Sequence, residues 1–238
     1  MKTSLTYRYL VLFTMLVLTS FFSIQVIQHD QAYLYDENQL MEYVQIFLLL
    51  VAGTVFWLIA AERNWNIVKA SFASLSLLAY LGAALSFSFI LREMSIKQSH
   101  IDWLIFFVDG QGFKIIMAMV WLPLLYKAFQ FRNEYIEIAK KSIFSPTALF
   151  LMAAVVCLAS GGLFDKEIIV VEYFRFYEEI LEMNGYGFML LAALSFRRDM
   201  VLAVCNCAKS ALHSLDNNEL DNNTLAITLK STVTTNIH

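Results

Sequence analysis

The segment Tyr177-Glu178-Glu179-Ile180-Leu181-Glu182 sets three carboxylates within little more than one helical turn. Glu178 and Glu182 are spaced i,i+4 and Glu179 and Glu182 i,i+3, so they share a helix face. Like charges that close repel unless they are protonated, paired with a cation or bound to a metal. The same pattern recurs elsewhere. Glu42 and Gln45 stand at i,i+3, Arg92 is followed by Glu93, and Asp102, Asp109 and Lys114 flank a short apolar stretch.

A carboxylate held near others can act as a general acid or base, and Glu179, Glu182, Glu42, Glu93 and Asp109 are the candidates for that role. Arg92 and Lys114 have the chemistry of phosphate clamps, and Gln45 and Asp102 are expected to contact the substrate. Carboxylates projecting from facing helices also suit a hard divalent cation, with Glu178, Glu182 and Asp165 as the expected ligands. Zinc is disfavoured, because His29 and His100 are isolated imidazoles and the chain has neither H-x-x-x-H nor E-x-x-H. It also lacks G-x-S-x-G, a P-loop, a dinucleotide fingerprint and C-x-x-C.

The elements that must carry these residues are hydrophobic. The 238 residues are 59% apolar and 16% charged, where a soluble domain is nearer half and a quarter. Requiring near-absence of charge over about 30 Å of hydrocarbon predicts six spans, at 9–27, 42–61, 68–91, 113–131, 146–164 and 178–196. The predicted fold class is therefore all-α, a polytopic membrane helix bundle occupying residues 1–198, with a polar, partly disordered cytoplasmic tail at 199–238. The first apolar run is longer than a signal-peptide core and no small-residue cleavage site follows, so it reads as a retained helix. Residues 101–108 are too short to span and read as an interfacial or re-entrant piece. The small residues Ser74, Gly82, Ala83 and Ser86 suggest a third helix that packs closely and lies centrally.

With both termini in the cytoplasm, twelve of the 17 Lys and Arg residues fall inside, as the positive-inside rule expects. Thirteen of the 20 acids fall outside or at the outer boundary, about one bilayer thickness from the basic ends. Acids hardly influence topology, so their concentration needs another cause. A plainer account makes them a charged rim of helix caps and local pairs, with Asp36 and Glu37 as caps and Arg92–Glu93 as a pair. The short inner loops fit a bacterial inner membrane, and a basic face beside anionic lipid argues against a nucleic-acid partner. Cys157, Cys205 and Cys207 form no disulfide framework.

The stretches around Leu91-Arg92-Glu93-Met94 to Lys114 and Tyr177-Glu178-Glu179 to Leu191 resemble small multi-pass bacterial inner-membrane proteins of unassigned activity. The alkaline ceramidase-like hydrolases also set an acid/base site in a helical bundle, but their histidine ligands are missing from this chain. The leading expectation is a periplasm-facing acidic pocket in a hydrolase or transferase acting on a lipid or lipid-linked substrate, with a divalent cation as cofactor. A proton- or cation-coupled carrier is the alternative. A third reading is a non-catalytic assembly subunit docking through the aromatic connection at 173–177, with membrane lipids as the other partners.

Overall fold

The computed structural model describes residues 2–35, 39–61, 71–94, 106, 111–166, 168–169, 171–200 and 202, and every regular element among them is helical. The chain divides into two units, residues 1–199 and 200–238. The first holds α1 (Lys2–Ile27), a 3-10 turn (Ala32–Tyr35), α2 (Leu40–Ala61), α3 (Ser71–Glu93), α4 (Gln111–Gln130), α5 (Arg132–Ser142) and α6 (Pro146–Asp165). A further helix, α7, runs over 174–200. Asp36, Glu37, His100, Asp102, Asp109 and nearly all of 101–108 lie outside the described residues; of the expected tail, Asp199 and Met200 are instead buried in α7, Leu202 is exposed, and the rest lies outside them.

Among the described residues five helices, α1, α2, α3, α4 and α6, are long and apolar enough to cross a membrane. Their large apolar side chains face outward: Phe13, Leu16, Phe47, Leu122, Phe129, Val155 and Val156 are all exposed. That distribution is costly in water and natural in lipid. The sixth expected span, at 178–196, exists as part of α7 but is not among these five. Glu178, Glu179, Glu182, Asn184 and Arg197 lower its hydropathy.

The reason α7 tolerates them is its place in the fold. Met183, Tyr186, Met189, Leu190, Leu191, Ala192, Ala193 and Phe196 are all buried, so α7 is enclosed by protein on most of its circumference. A helix solvated by its neighbours has no need to be uniformly apolar. The central element is thus α7, whereas the small-residue pattern had pointed to α3. The stripe on α3 serves a pairwise contact instead: a β-carbon on Gly82 would lie 3.0 Å from the Phe56 ring, and one on Gly53 3.1 Å from Phe87. These glycines let α2 and α3 approach closely.

Contacts fix the directions around α7. Thr19 bonds Asn184, and Gly187 meets Met15, so α1 is antiparallel to it. Gly161 faces Glu182 and Gly185 faces Leu158, so α6 is antiparallel as well. Gln45 reaches Glu179 while Phe56 stacks edge-on against Phe196, so α2 runs parallel to α7. The carboxyl ends of α1, α3 and α6 and the amino ends of α2 and α7 therefore gather at one end, the acidic end.

Residues 132–141, read from sequence as an inner loop, form most of α5. Its Tyr135 hydroxyl donates to the Ser74 carbonyl at 3.1 Å and ties it to α3. Burial, with Glu134 adding its charge, pushes that phenol up to about 12.

Candidate functional site

At the acidic end α3 finishes with Arg92 and Glu93, against Glu182 and Tyr186, which lie one turn apart on α7. Arg92 Nη2 donates to Glu93 Oε1 at 2.7 Å and to Glu182 Oε1 at 2.6 Å, and Nε donates to Glu93 Oε1 at 3.0 Å. The Tyr186 hydroxyl accepts from Arg92 Nη2 at 3.0 Å and donates to Glu93 Oε1 at 2.7 Å. One guanidinium therefore serves two carboxylates, braced by a phenol. Both carboxylate side chains are enclosed, 11% and 9% exposed, while that of Arg92 is 51% exposed and gives the network its opening. Phe89 supports the guanidinium from below at 5.5 Å.

Glu179 lies on the neighbouring face of α7 with a different partner. Gln45, fully buried on α2, donates through Nε2 to Glu179 Oε2 at 2.7 Å and to the Glu179 carbonyl at 3.1 Å. Committing both amide hydrogens this way leaves Gln45 Oε1 buried with no hydrogen-bond partner. A buried carbonyl oxygen without a donor costs about 1–3 kcal/mol. Gln45 Oε1, on the side chain that bonds the Glu179 carboxylate, is thus an acceptor that lacks a donor.

The charges do not balance locally. Glu93, Glu178, Glu179 and Glu182 lie within electrostatic reach of one another, with Asp165 and Arg175 acting on Glu178, and Arg92 acting on Glu178 and Glu182. The acids do not, however, converge as metal ligands. Among the described residues no three His, Cys, Asp or Glu side chains are placed to hold a metal ion. Glu182 turns toward Arg92 on α3, whereas Asp165 is exposed at the end of α6, so the expected set Glu178, Glu182 and Asp165 is not assembled.

The structure thus brings together Gln45, Arg92, Glu93, Glu179 and Glu182 from three helices. Glu42 is half-buried one turn above Gln45, and Lys114 is exposed on the first turn of α4. Arg92 is poorly placed to clamp phosphate, because the two carboxylates on it would repel an anion. Tyr186 was missed: its only signal is a polar tip four residues after Glu182 on the same face. The proposed aromatic docking strip at 173–177 is partly turned inward, with Phe176 buried against Tyr35.

Gly161 and Gly162 offer a test of this packing. A β-carbon on Gly161 would lie 3.3 Å from Glu182 Cγ, whereas one on Gly162 meets nothing within 4 Å. Gly162→Ala is expected to stabilise by about 0.5–1 kcal/mol through helix propensity. Gly161→Ala is expected to lose that gain, and Gly161→Leu to destabilise by about 1–3 kcal/mol as it displaces Glu182. Thermal melting of the three variants in one detergent checks the order.

The fold and site together describe a chain whose regular elements, among the described residues, are all helical, with several helices long and apolar enough to span a membrane and a shared-arginine carboxylate network at one end. No protein family, curated protein or solved structure matches it.

Proposed function

We propose that this chain is a six-span protein of a bacterial inner membrane, with both termini cytoplasmic, whose periplasm-facing acidic site binds a small positively charged ligand with N–H donors, of the primary-ammonium kind. The Lys and Arg distribution supports the orientation. The observation that carries the binding reading is Glu179 beside the orphaned Gln45 carbonyl. An ammonium group brings the positive charge that the carboxylates lack and the donor that Gln45 Oε1 lacks. A metal ion would bring only the first.

The catalytic form of the same proposal is a hydrolase or transferase acting on a lipid or lipid-linked substrate with an ammonium-bearing headgroup. Gln45 favours it, since it fixes Glu179 as the one carboxylate of the network not bonded to Arg92 and so suited to act as general base.

Ethanolamine and sodium chloride, titrated separately into detergent-purified protein, test the binding. Ethanolamine is expected to raise the melting point, with stabilisation approaching about 2.7 kcal/mol at a hundredfold excess over Kd. The effect is lost in Glu179→Gln and kept in Glu172→Gln, an exposed acid outside the network. Protons compete for the same oxygens, so the effect weakens as pH falls. An equal response to sodium and ethanolamine, or one that survives Glu179→Gln, rules the proposal out.

A further inference from the structure

A second feature of the bundle is built from residues that take no part in the acidic network. Between α3 and α4 runs a cleft of about 610 Å³, floored by Leu77, Ala84 and Leu91 and walled by Ile116 and Val120. Lys127, exposed near the end of α4, is the only charged residue lining it among the described residues. Trp57 and Val120 on the rim are 53% and 42% exposed, so the cleft opens to the surroundings. Side chains leave it unfilled because α4 stands off the bundle: its hydrogen bond to α3 runs from Trp121 Nε1 to Ser88 Oγ at 3.0 Å, and Gly112 is its one buried residue.

Its dimensions and its single charge identify what fills it. From Ile116 to Lys127 the cleft follows α4 for twelve residues, roughly 16 Å at 1.5 Å per residue, and along α3 it runs from Leu77 to Leu91, roughly 21 Å. An apolar channel of that length, with a cation near one end, matches an acyl chain below an anionic phosphate. A helix apolar enough to fill the same channel would leave Lys127 without a counter-charge.

We propose that the α3/α4 cleft is a binding site for one anionic glycerophospholipid, with an acyl chain against Ala84 and Leu91 and its headgroup phosphate at Lys127. The lipid belongs to whichever leaflet Lys127 faces, so the proposal is independent of the acidic site and of the topology. It also supplies the packing that α4 lacks in protein alone, and α4 without lipid is the least supported helix of the bundle.

The test is native mass spectrometry of the full chain, delipidated in mild detergent and then returned to vesicles of phosphatidylglycerol, phosphatidylethanolamine or phosphatidylcholine. Wild type is expected to retain one phosphatidylglycerol in preference to phosphatidylcholine. Lys127→Glu, a surface change that leaves the core untouched, should cut that preference roughly fivefold or more, the fold-change matching the ~1 kcal/mol of one basic residue at an anionic surface. Ala84→Trp, which fills the cleft, should abolish retention, while Leu122→Trp on the exposed face of α4 should not. Equal retention of all three lipids, or retention that survives Ala84→Trp, overturns the proposal. So does a dimer that forms in wild type and is lost in Ala84→Trp, which would assign the cleft to a second copy of the chain.

Discussion

Arg92→Gln is expected to lower stability by roughly 2–3 kcal/mol and, at the same time, to tighten ethanolamine binding. The stability effect follows from what the substitution strands. Glu93 and Glu182 are about nine-tenths enclosed, and both rely on the same Nη2. Removing one partner of a buried pair commonly costs about 3–5 kcal/mol, and the half-exposed Arg92 side chain brings the figure below that range. Neutralising the stranded acids should restore what was lost. In a Glu93→Gln/Glu182→Gln background, Arg92→Gln is therefore expected to cost under about 1 kcal/mol, a coupling that thermal melting of the four proteins measures directly. Additive losses would mean that the arginine acts through packing alone.

The binding effect separates two roles for the same residue. As an anion clamp Arg92 would hold phosphate, so inorganic phosphate should stabilise wild type and lose that effect in Arg92→Gln. As a counter-ion in an acidic receptor it competes with the ligand, so its loss should tighten ethanolamine about tenfold, or 1.4 kcal/mol. Titration of Arg92→Gln at low temperature, where the variant stays folded, reads the sign. An unchanged or weaker ethanolamine affinity would rule out the counter-ion role, and phosphate binding that is lost in Arg92→Gln would return the site to the phosphate-clamp reading that the sequence first invited.

That first reading set these residues at one level for a reason that lies in the solvent. Hydrocarbon forces charge to the ends of apolar runs, so counting from basic ends placed Glu42, Arg92, Glu93 and Glu182 at one level without knowledge of the fold. It could not assign partners, because partners depend on helix order and rotation. Arg92 might equally have met Asp102 or Glu178; only the antiparallel packing of α3 on α7 brings it to Glu182 and Tyr186.

The place of α7 was hidden for the opposite reason. Hydropathy ranks a helix by its affinity for lipid, and α7 scores low because protein surrounds it. A usable signal was present in Asn184, Gly185, Gly187, Ala192, Ala193 and Ser195, small or hydrogen-bonding residues distributed around the helix, with no continuous lipid-facing stripe. α5 was also legible in principle, since Tyr135, Ile138 and Ala139 recur at helical spacing among polar residues.

The largest loss at the opposite end is expected from Asp199→Ala, at a residue that no sequence motif marks. Asp199 is 7% exposed, and its Oδ2 accepts from Thr147 N at 2.8 Å and from Thr147 Oγ1 at 2.7 Å. This completes the first turn of α6. Pro146 has no N–H, the Ala148 N–H goes to Ser145 Oγ, the Leu149 N–H goes to the Ser145 carbonyl, and Asp199 takes the remaining donor. Alanine would strand a buried N–H and a hydroxyl and remove a negative charge from a helix amino terminus. Hydrogen bonds to a charged group contribute about 1.5–3 kcal/mol and the helix-end charge up to ~2, so a loss of roughly 3 kcal/mol is expected. Asp199→Asn keeps an acceptor oxygen without the charge and should lose about half as much. Thr147→Val removes the hydroxyl and spares the N–H bond, and should cost about 1 kcal/mol. Seventeen residues of α7, roughly 25 Å, separate Asp199 from Glu182, so ethanolamine binding at the acidic end should be unchanged in all three. Melting curves that place Asp199→Ala no lower than Thr147→Val would show that the carboxylate is incidental to the start of α6. A parallel loss of ethanolamine binding would show that the two ends of α7 communicate through the helix.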